Sequence, residues 1–255
     1  MPFQKIQAGK LSQSVVRQIE LLILRGILRP GERLPSERDL SDRFGVSRPS
    51  LRDAVAELSA RGLLISRPGA GIFVAEVLGS AFSAPLIQLF ASHEEAVFDC
   101  LAFRRDMEGL AAARAARLGS DTDLQVIGAI LQRMEAAHQK HDPADEAALD
   151  VAFHMAIIEA SHNVVMLHMM RSMYDLLREG VFYNRQTMFK TRATRDQLLD
   201  QHRRILQALN ARQPEAAQAA VVDHLNFVEA ALSDQLRANR NEDVARLRLE
   251  QEQNR

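Results

Sequence analysis

The feature that most restricts the fold of this chain is a pair of short predicted helices with only two residues between them, in the stretch "SERDLSDRFGVSRPSLRDAVAELSARG". Ser36 and Asp39 predict a capped helix start, and Gly45 predicts a left-handed helix stop. The next helix is predicted to open at Ser47, because Pro49 is tolerated in a first turn whose N–H groups lack intrahelical partners. Helices joined by so tight a turn are typical of a helix-turn-helix.

The segments on either side complete a winged form of this motif. Leu11–Gly26 predicts a preceding helix, since its apolar residues recur on one helical face: Val15, Ile19, Leu22 and Ile23. Leu63–Val74 predicts two short strands around a Pro-Gly-Ala-Gly turn. Helix, tight turn, helix and hairpin in this order predict an N-terminal winged helix-turn-helix with a small β-hairpin wing.

Polar side chains crowd the first turns of the third predicted helix, namely Ser47, Arg48, Ser50 and Arg52. In a helix-turn-helix, the N-terminal residues of this helix reach the major groove, where an arginine can pair with two acceptors of guanine. We expect Arg38 to hold the DNA backbone and Gly69 to let the wing approach closely. Each arginine alone could belong to an ordinary solvated face, but the ordered series of elements favours DNA binding.

Charge and histidines are distributed unevenly along the chain. Residues 1–74 hold 12 Lys/Arg against 7 Asp/Glu, whereas residues 75–255 hold 20 against 26, and all eight histidines lie at or after His93. A basic front and an acidic, histidine-bearing back predict two domains with different roles. We place the domains at residues 1–76 and 92–237, with a linker over 77–91 and a polar, frayed tail over 238–255.

Composition argues against several classes of protein. No apolar run approaches the roughly 20 residues that a membrane span needs, and "MPFQKIQAGKLSQS" has no apolar core of a secretory signal. Cys100 is the only cysteine, so an internal disulfide is impossible. We therefore expect a cytoplasmic protein without a membrane partner.

Helices are predicted throughout the back part, where no strand pattern appears. They run from Glu94 to Leu118, Asp121 to Gln139, Ala144 to Ala160, Val164 to Arg185, Arg192 to Ala211 and Pro214 to Asn239. The clearest breaks are the turn-rich stretches "GSDTD", "KHDPADE" and "ARQPE". The prediction is a C-terminal all-α antiparallel helical bundle, so the whole chain is expected to be mainly α.

One predicted helix and one predicted helical hairpin carry residues that suit a metal site. Asp150 and His154 lie four positions apart, hence on one face of their helix. His202 lies eight residues before, and His224 ten residues after, the predicted turn that joins Asn210 to Pro214. Both imidazoles would then lie about 12–15 Å up their arms, at a similar height. Facing helices of bundles build metal sites in this way.

The alternative is that each histidine is an ordinary hydrogen-bonded or surface residue, which is the usual role of a single histidine on a helix. We apply that interpretation to His93, His138, His141 and His168. Taken alone, the pair of Asp150 and His154 fits either a metal site or two ordinary polar residues.

The motifs described so far resemble one bacterial family. The stretch "LRPGERLPSERDLSDRFGVSRPSLRDAVAELSARGLLISRPGAGIFV" is similar, nearly without gaps, to the DNA-binding domain of GntR-family transcription regulators. The back part resembles the all-helical effector domain of the family's fatty-acid-regulator-like branch. Within that branch, "DVAFHMAIIEASHNVVMLH" is most similar to the lactate- and glycolate-responsive regulators.

The resemblance implies a homodimer that binds a double-stranded DNA operator of two-fold symmetry, most commonly as a repressor. The DNA contacts it implies fall near Gly69 of the wing and at Arg38, Ser47, Arg48, Ser50 and Arg52. It also implies a divalent metal ion on the residues that match the ligands of the branch: Asp150, His154, His202 and His224. The wing departs from the family pattern at Pro68 and Ala70, where some relatives carry polar or basic residues, so wing readout of the minor groove is expected to be weak.

One carboxylate and three imidazoles suit Zn²⁺, and also Ni²⁺, Mn²⁺ or Fe²⁺. An octahedral ion would keep two positions for the carboxylate and hydroxyl oxygens of a 2-hydroxy acid such as lactate or glycolate. Arg104, which matches an arginine of the family, is expected to hold the carboxylate of that effector as well. Its alternative is an i,i+4 surface pair with Glu108. Asn163 is a weaker candidate for the effector pocket, and its alternative is a helix cap.

The sequence therefore predicts a DNA-binding regulator controlled by a small carboxylic acid, and not an enzyme. A regulator that answers to pyruvate, to another carboxylate or to the metal itself remains an alternative. A metalloenzyme with a metal-activated water is less favoured, because no obvious nucleophile or general base accompanies the ligands and the DNA-reading head would be unexplained. Fatty acyl-CoA is a poor candidate effector, since polar ligands line an acyl chain badly.

Overall fold

The computed structural model describes residues 8–75, 82–140, 142–178 and 192–253. The chain divides into two compact units, Met1–Ala81 and Phe82–Arg255. Within the described ranges, no helix combines the length and the apolar character needed to cross a lipid bilayer.

The first unit consists of three helices and a two-stranded antiparallel sheet, which confirms the predicted winged helix-turn-helix. Its elements are α1 (Ala8–Leu24), α2 (Glu37–Phe44), α3 (Arg48–Ala60), β1 (Leu64–Arg67) and β2 (Gly71–Val74). In the sheet, Leu64 lies opposite Val74 and Arg67 lies opposite Gly71. The helices pack through side chains that are at most 1% exposed, namely Ile19, Leu51 and Leu58.

Short-range hydrogen bonds set the tight turn between α2 and α3. The side chain of Ser36 accepts a hydrogen bond from the backbone N–H of Asp39, which begins α2, and Gly45 ends this helix in the left-handed region at φ 63°. The side chain of Ser47 then accepts from the backbone N–H of Ser50 and begins α3. Arg48 and Pro49 in the first turn of α3 are exposed, so this helix start lies at the surface of the unit.

The second unit is built from helices alone in its described residues, as predicted. Its elements are α4 (Ala84–Ser92), α5 (Glu94–Leu118), α6 (Asp121–Lys140), α7 (Pro143–Ala160), α8 (Val164–Arg178), α9 (Arg192–Asn210) and α10 (Pro214–Gln253). Helix α5 packs against α7, α9 and α10, and α9 packs against α10. These four helices therefore meet inside the bundle, where their inward side chains can reach one another.

Helix α4 occupies most of the second half of the stretch over 77–91 that was expected to be a linker, and it ends one residue beyond that stretch. It forms because its apolar side chains find partners: the ring of Phe90 packs edge-on against Phe82 with centroids 5.7 Å apart, and Ile87 packs against the core of the bundle. Residues 77–81 of this linker lie outside the described part of the chain.

The polar tail is helical, not frayed as we expected. Helix α10 continues to Gln253, because residues 215–253 contain neither glycine nor proline and are rich in the good helix formers Ala, Leu, Glu and Arg. The predicted helix from Val164 to Arg185 is described as far as Arg178, and its last predicted turns lie outside the described residues.

Candidate metal centre

The four predicted ligands converge in the interior of the second unit. Asp150 and His154 come from α7, His202 from α9 and His224 from α10. Each offers one ligand atom, these atoms all lie within 4.8 Å of one another, and all four residues are at most 2% exposed. The cluster could therefore hold a metal ion.

The distances inside the cluster suit ligands that share one ion. Nε2 of His202 lies 3.1 Å from Oδ1 of Asp150, and Nε2 of His154 lies 3.2 Å from Nε2 of His224. Two nitrogens that each lie about 2.0–2.1 Å from one zinc ion are about 3.3 Å apart at a tetrahedral angle and about 2.9 Å apart at a right angle. These two separations fall in this range, whereas Nε2 of His154 and Oδ1 of Asp150 lie 3.7 Å apart, which is still below the roughly 4.2 Å between two ligands on opposite sides of one ion.

The outer nitrogens of two of the imidazoles face oxygen atoms. Nδ1 of His154 lies 2.7 Å from Oε2 of Glu108, and Nδ1 of His224 lies 2.9 Å from Oε1 of Gln201. These oxygens accept hydrogen bonds, so a hydrogen on each Nδ1 would leave the lone pairs of both Nε2 atoms facing inward. Two lone pairs that face each other in a buried site repel unless a cation lies between them, so this donor set fits a divalent metal.

A network of buried polar side chains continues outward from His154. Oε1 of Glu108 accepts from Nε of Arg104 at 2.7 Å and from the hydroxyl of Tyr174 at 2.7 Å, and Nη2 of Arg104 donates to that hydroxyl at 2.9 Å. Burial raises the pKa of Glu108, but the charge of Arg104 and the contact with His154 outweigh burial and hold it well below its usual range. Burial also raises the pKa of Tyr174, an effect that Arg104 opposes and Glu108 adds to.

The two effector candidates have partners within the protein. Arg104 does pair with Glu108 in the i,i+4 manner, but both side chains are buried, so the pair is not the surface pair considered above. Oδ1 of Asn163 accepts a hydrogen bond from the backbone N–H of Met166, two residues into α8. Asn163 therefore caps the start of α8, which was the alternative to a pocket role.

Several residues around the centre were not anticipated from the sequence. Tyr174 and Gln201 were missed, and Glu108 was considered only as a partner of Arg104. Of the residues that were missed, Gln201 had one signal in the sequence, because it directly precedes the predicted ligand His202. Among the remaining histidines, His138 lies 2.9 Å from Oδ1 of Asp196 in an ordinary polar contact, and His141 lies outside the described residues.

The predicted DNA contacts lie at the start of α3 and around it. Arg38 and Arg48 are exposed, whereas Ser50 is buried, and its hydroxyl lies 3.0 Å from that of Ser47. Nε of Arg52 pairs with Oε2 of Glu37 at 2.9 Å, although its side chain remains 67% exposed. The two serines thus shape the helix start, while the arginines face outward.

The wing has the turn that was predicted and carries one basic residue that sequence reasoning passed over. Gly69 lies in the left-handed region at φ 72°, so it lets the hairpin turn tightly. The guanidinium of Arg67 lies over the ring of Phe73, 4.7 Å from its centroid. Because Arg67 is exposed, the wing keeps a positive charge beside the apolar positions Pro68 and Ala70.

Comparison with known proteins agrees with both units. Residues 11–74 match the model for bacterial regulatory proteins of the gntR family, and residues 99–227 match the FCD domain. The Glc operon transcriptional activator of Escherichia coli (strain K12) is 35% identical over 90% of this chain and 92% of its own length. An E. coli (strain K12) protein whose name assigns it to the L-lactate dehydrogenase operon is 35% identical over 88% of this chain and 86% of its own.

A third relative and two solved structures extend the comparison. The regulator LutR of Bacillus subtilis (strain 168) is 32% identical over 86% of this chain and 99% of its own length. The fold is similar to that of Streptococcus agalactiae GntR, with a TM-score of 0.53 at 24% identity over 87% of this chain and 99% of that one. It is also similar to that of E. coli McbR/YncC, with a TM-score of 0.51 at 20% identity over 89% and 98%. The chain therefore belongs to the GntR family of bacterial regulatory proteins, carries an FCD domain, and is a transcription regulator and not an enzyme.

Proposed function

We propose that the affinity of this regulator for DNA is controlled by a small carboxylic acid bound at a divalent metal ion in the second unit. The effector we favour is a 2-hydroxy acid such as lactate or glycolate. The observation that carries this proposal is the convergence of one carboxylate and three imidazoles within 4.8 Å in a fully buried position. The name of the relative assigned to the L-lactate dehydrogenase operon supports an organic acid as the signal.

Asp150, His154, His202 and His224 would hold the ion, with zinc favoured and nickel, manganese or iron as alternatives. When bound, the ion supplies Lewis-acid binding of the acid's carboxylate and hydroxyl oxygens. Arg104 is buried, and Glu108 lies between it and His154. Arg104 would hold the carboxylate of the acid by a charge-assisted hydrogen bond. An acid held in this way touches several helices at once and so favours one packing of the bundle over another, which is how a ligand shifts an equilibrium.

The exposed start of α3 would read the operator. We propose that Arg48 contacts base edges in the major groove, that Arg38 and Arg52 contact phosphates, and that the wing near Gly69 approaches the backbone. Ser47 and Ser50 would mainly position this helix, because each is engaged in its cap.

A cytoplasmic homodimer would present two such helices to a two-fold symmetric operator. Exposed apolar side chains on one face of α5 support a dimer, since Phe103 and Leu110 are 39% and 46% exposed and lie seven residues apart. Repression stays a prediction from the sequence. One relative is named an activator and another, NanR of Citrobacter rodentium, a repressor, so a reporter assay decides the direction for this chain.

Titration calorimetry tests whether a carboxylic acid binds this regulator and controls its affinity for DNA. Glycolate, L-lactate and pyruvate are each titrated into the full chain, first loaded with zinc and then stripped with a chelator. We expect a 2-hydroxy acid to bind the loaded protein and to change its affinity for operator DNA. A change of DNA affinity with metal alone, and none with any acid, would favour a metal sensor; consumption of an acid would contradict the proposal.

Replacing Arg48 with alanine is expected to weaken operator binding by about 5- to 150-fold, because one arginine-to-base contact contributes about 1–3 kcal/mol of discrimination. A mobility-shift titration at fixed salt measures the change. Arg61→Ala is the matched control, since Arg61 is the residue at the opposite end of α3 and pairs with Glu20. Equal losses in the two variants would show that Arg48 makes no specific contact.

A further inference from the structure

The two oxygens of Glu108 have different partners. Oε2 lies 2.7 Å from Nδ1 of the metal-ligand candidate His154, whereas Oε1 accepts from Arg104 at 2.7 Å and from Tyr174 at 2.7 Å. All four side chains are at most 3% exposed. One buried carboxylate therefore separates the candidate metal centre from the candidate effector anchor.

We propose that Glu108 is a positioning residue: it fixes His154 in the tautomer that binds metal, and with its other oxygen it holds Arg104 beside the same centre. This role deepens the proposed function and rests on it, since it assumes that His154 is a ligand. Glu108 itself touches neither the ion nor the acid. It acts on both through the two groups that it orients.

The hydrogen-bond donors around position 108 explain why a carboxylate is needed there. Nδ1–H of His154 and Nε–H of Arg104 are both donors, and Arg104 has no acceptor to offer. A carboxylate presents two acceptor oxygens and satisfies both donors at once. A primary amide of the same shape has one oxygen and one NH₂ group, so it must confront either His154 or Arg104 with a second donor.

A glutamine at position 108 would therefore disturb the metal centre in a defined way. If its NH₂ group faces His154, the ring must accept at Nδ1, and the hydrogen moves to Nε2, where it blocks the ligand lone pair. If its oxygen faces His154, the ring keeps its tautomer but loses a charged partner, and charged partners raise the basicity of a ligating imidazole. Both outcomes weaken metal binding.

His224 provides an internal contrast. Its Nδ1 faces the amide oxygen of Gln201 at 2.9 Å, so a neutral group is sufficient to orient that ring. Within the part of the chain that the structure describes, Gln201 bonds to His224 and to no arginine. The carboxylate at position 108 thus serves a second purpose that position 201 does not, namely the placement of Arg104.

The experiment compares zinc affinity in the wild type, Glu108→Gln and Glu146→Gln by competition with a chromophoric chelator. Zinc alone is the probe, so the result does not depend on the identity of the acid. Glu146 is the matched control because it lies one turn before Asp150 and is also buried, at 5% exposed against 2% for Glu108. It accepts from Nε of Arg195 at 2.8 and 3.0 Å. We expect zinc affinity to fall about 10- to 100-fold in Glu108→Gln and to stay near that of the wild type in Glu146→Gln.

The tautomer of His154 is read separately by ¹⁵N NMR of histidine-labelled, chelator-treated wild type. We expect the hydrogen on Nδ1 of His154. A hydrogen on Nε2 overturns the positioning role, and this measurement still decides the matter if Glu108→Gln does not fold. Unchanged zinc affinity in a folded Glu108→Gln variant overturns it as well. If the wild type binds no zinc, the proposed function is overturned instead. The tautomer of His154 then still shows whether Glu108 orients that ring.

Discussion

Asparagine in place of His202 is expected to weaken zinc binding by about 100- to 1,000-fold. Four-ligand zinc sites contribute about 10–16 kcal/mol, so the share of one ligand is about 2.5–4 kcal/mol, which corresponds to that loss of affinity. His202 is 0% exposed and lies against the ring of Phe153, with centroids 4.9 Å apart. Its replacement therefore removes a ligand that no solvent-exposed side chain can replace. Competition with a chelator measures the change.

The matched control for this variant is His138→Asn. Its imidazole lies in the same unit but is bonded to Asp196, so its loss should leave zinc affinity close to that of the wild type. A thermal melt gives a second readout: the chelator should lower the melting temperature of the wild type and of His138→Asn, but have little effect on His202→Asn. A chelator effect of the same size in all three proteins would place the ion elsewhere.

Methionine in place of Arg104 is expected to lower the free energy of unfolding by about 3–5 kcal/mol. Methionine keeps an unbranched, apolar stem of similar length but leaves the carboxylate of Glu108 without its guanidinium partner, and an uncompensated buried charge costs about this much. Both side chains of the pair are at most 2% exposed, so solvent cannot screen the charge. Urea unfolding of the chelator-treated protein measures the loss without a contribution from metal.

The double variant Arg104→Met/Glu108→Gln distinguishes the loss of the pair from the loss of packing. Once the carboxylate is an amide, the unpaired charge is gone, so the double variant should be more stable than Arg104→Met alone. A double variant that loses the sum of the two single effects would show that the side chains do not interact. That outcome would also remove the basis for a buried anchor at this position.

The elements of the first unit could be predicted from the sequence because each of them depends on short-range chemistry. Ser36, Gly45 and Ser47 act on neighbours within about one helical turn, so capping and turn rules alone place α2 and α3. The ligand set could also be predicted, although it joins three helices. Asp150 and His154 share a helical face, and counting along the hairpin brings His202 and His224 to similar heights. Regular helix geometry carries both arguments.

The contacts of the side chains around the ligands were decided by tertiary structure alone. Glu108 and His154 are 46 positions apart in the chain, and Tyr174 lies 66 positions beyond Glu108; no periodicity relates residues at such separations. Their meeting depends on how α5, α7 and α8 rotate and pack, which follows from the fit of the whole core. Packing also explains one of the two misjudged segments, whereas the other has a local cause. Helix α4 forms because Phe82, Ile87 and Phe90 find partners, whereas α10 continues past the bundle because nothing in its own residues stops it.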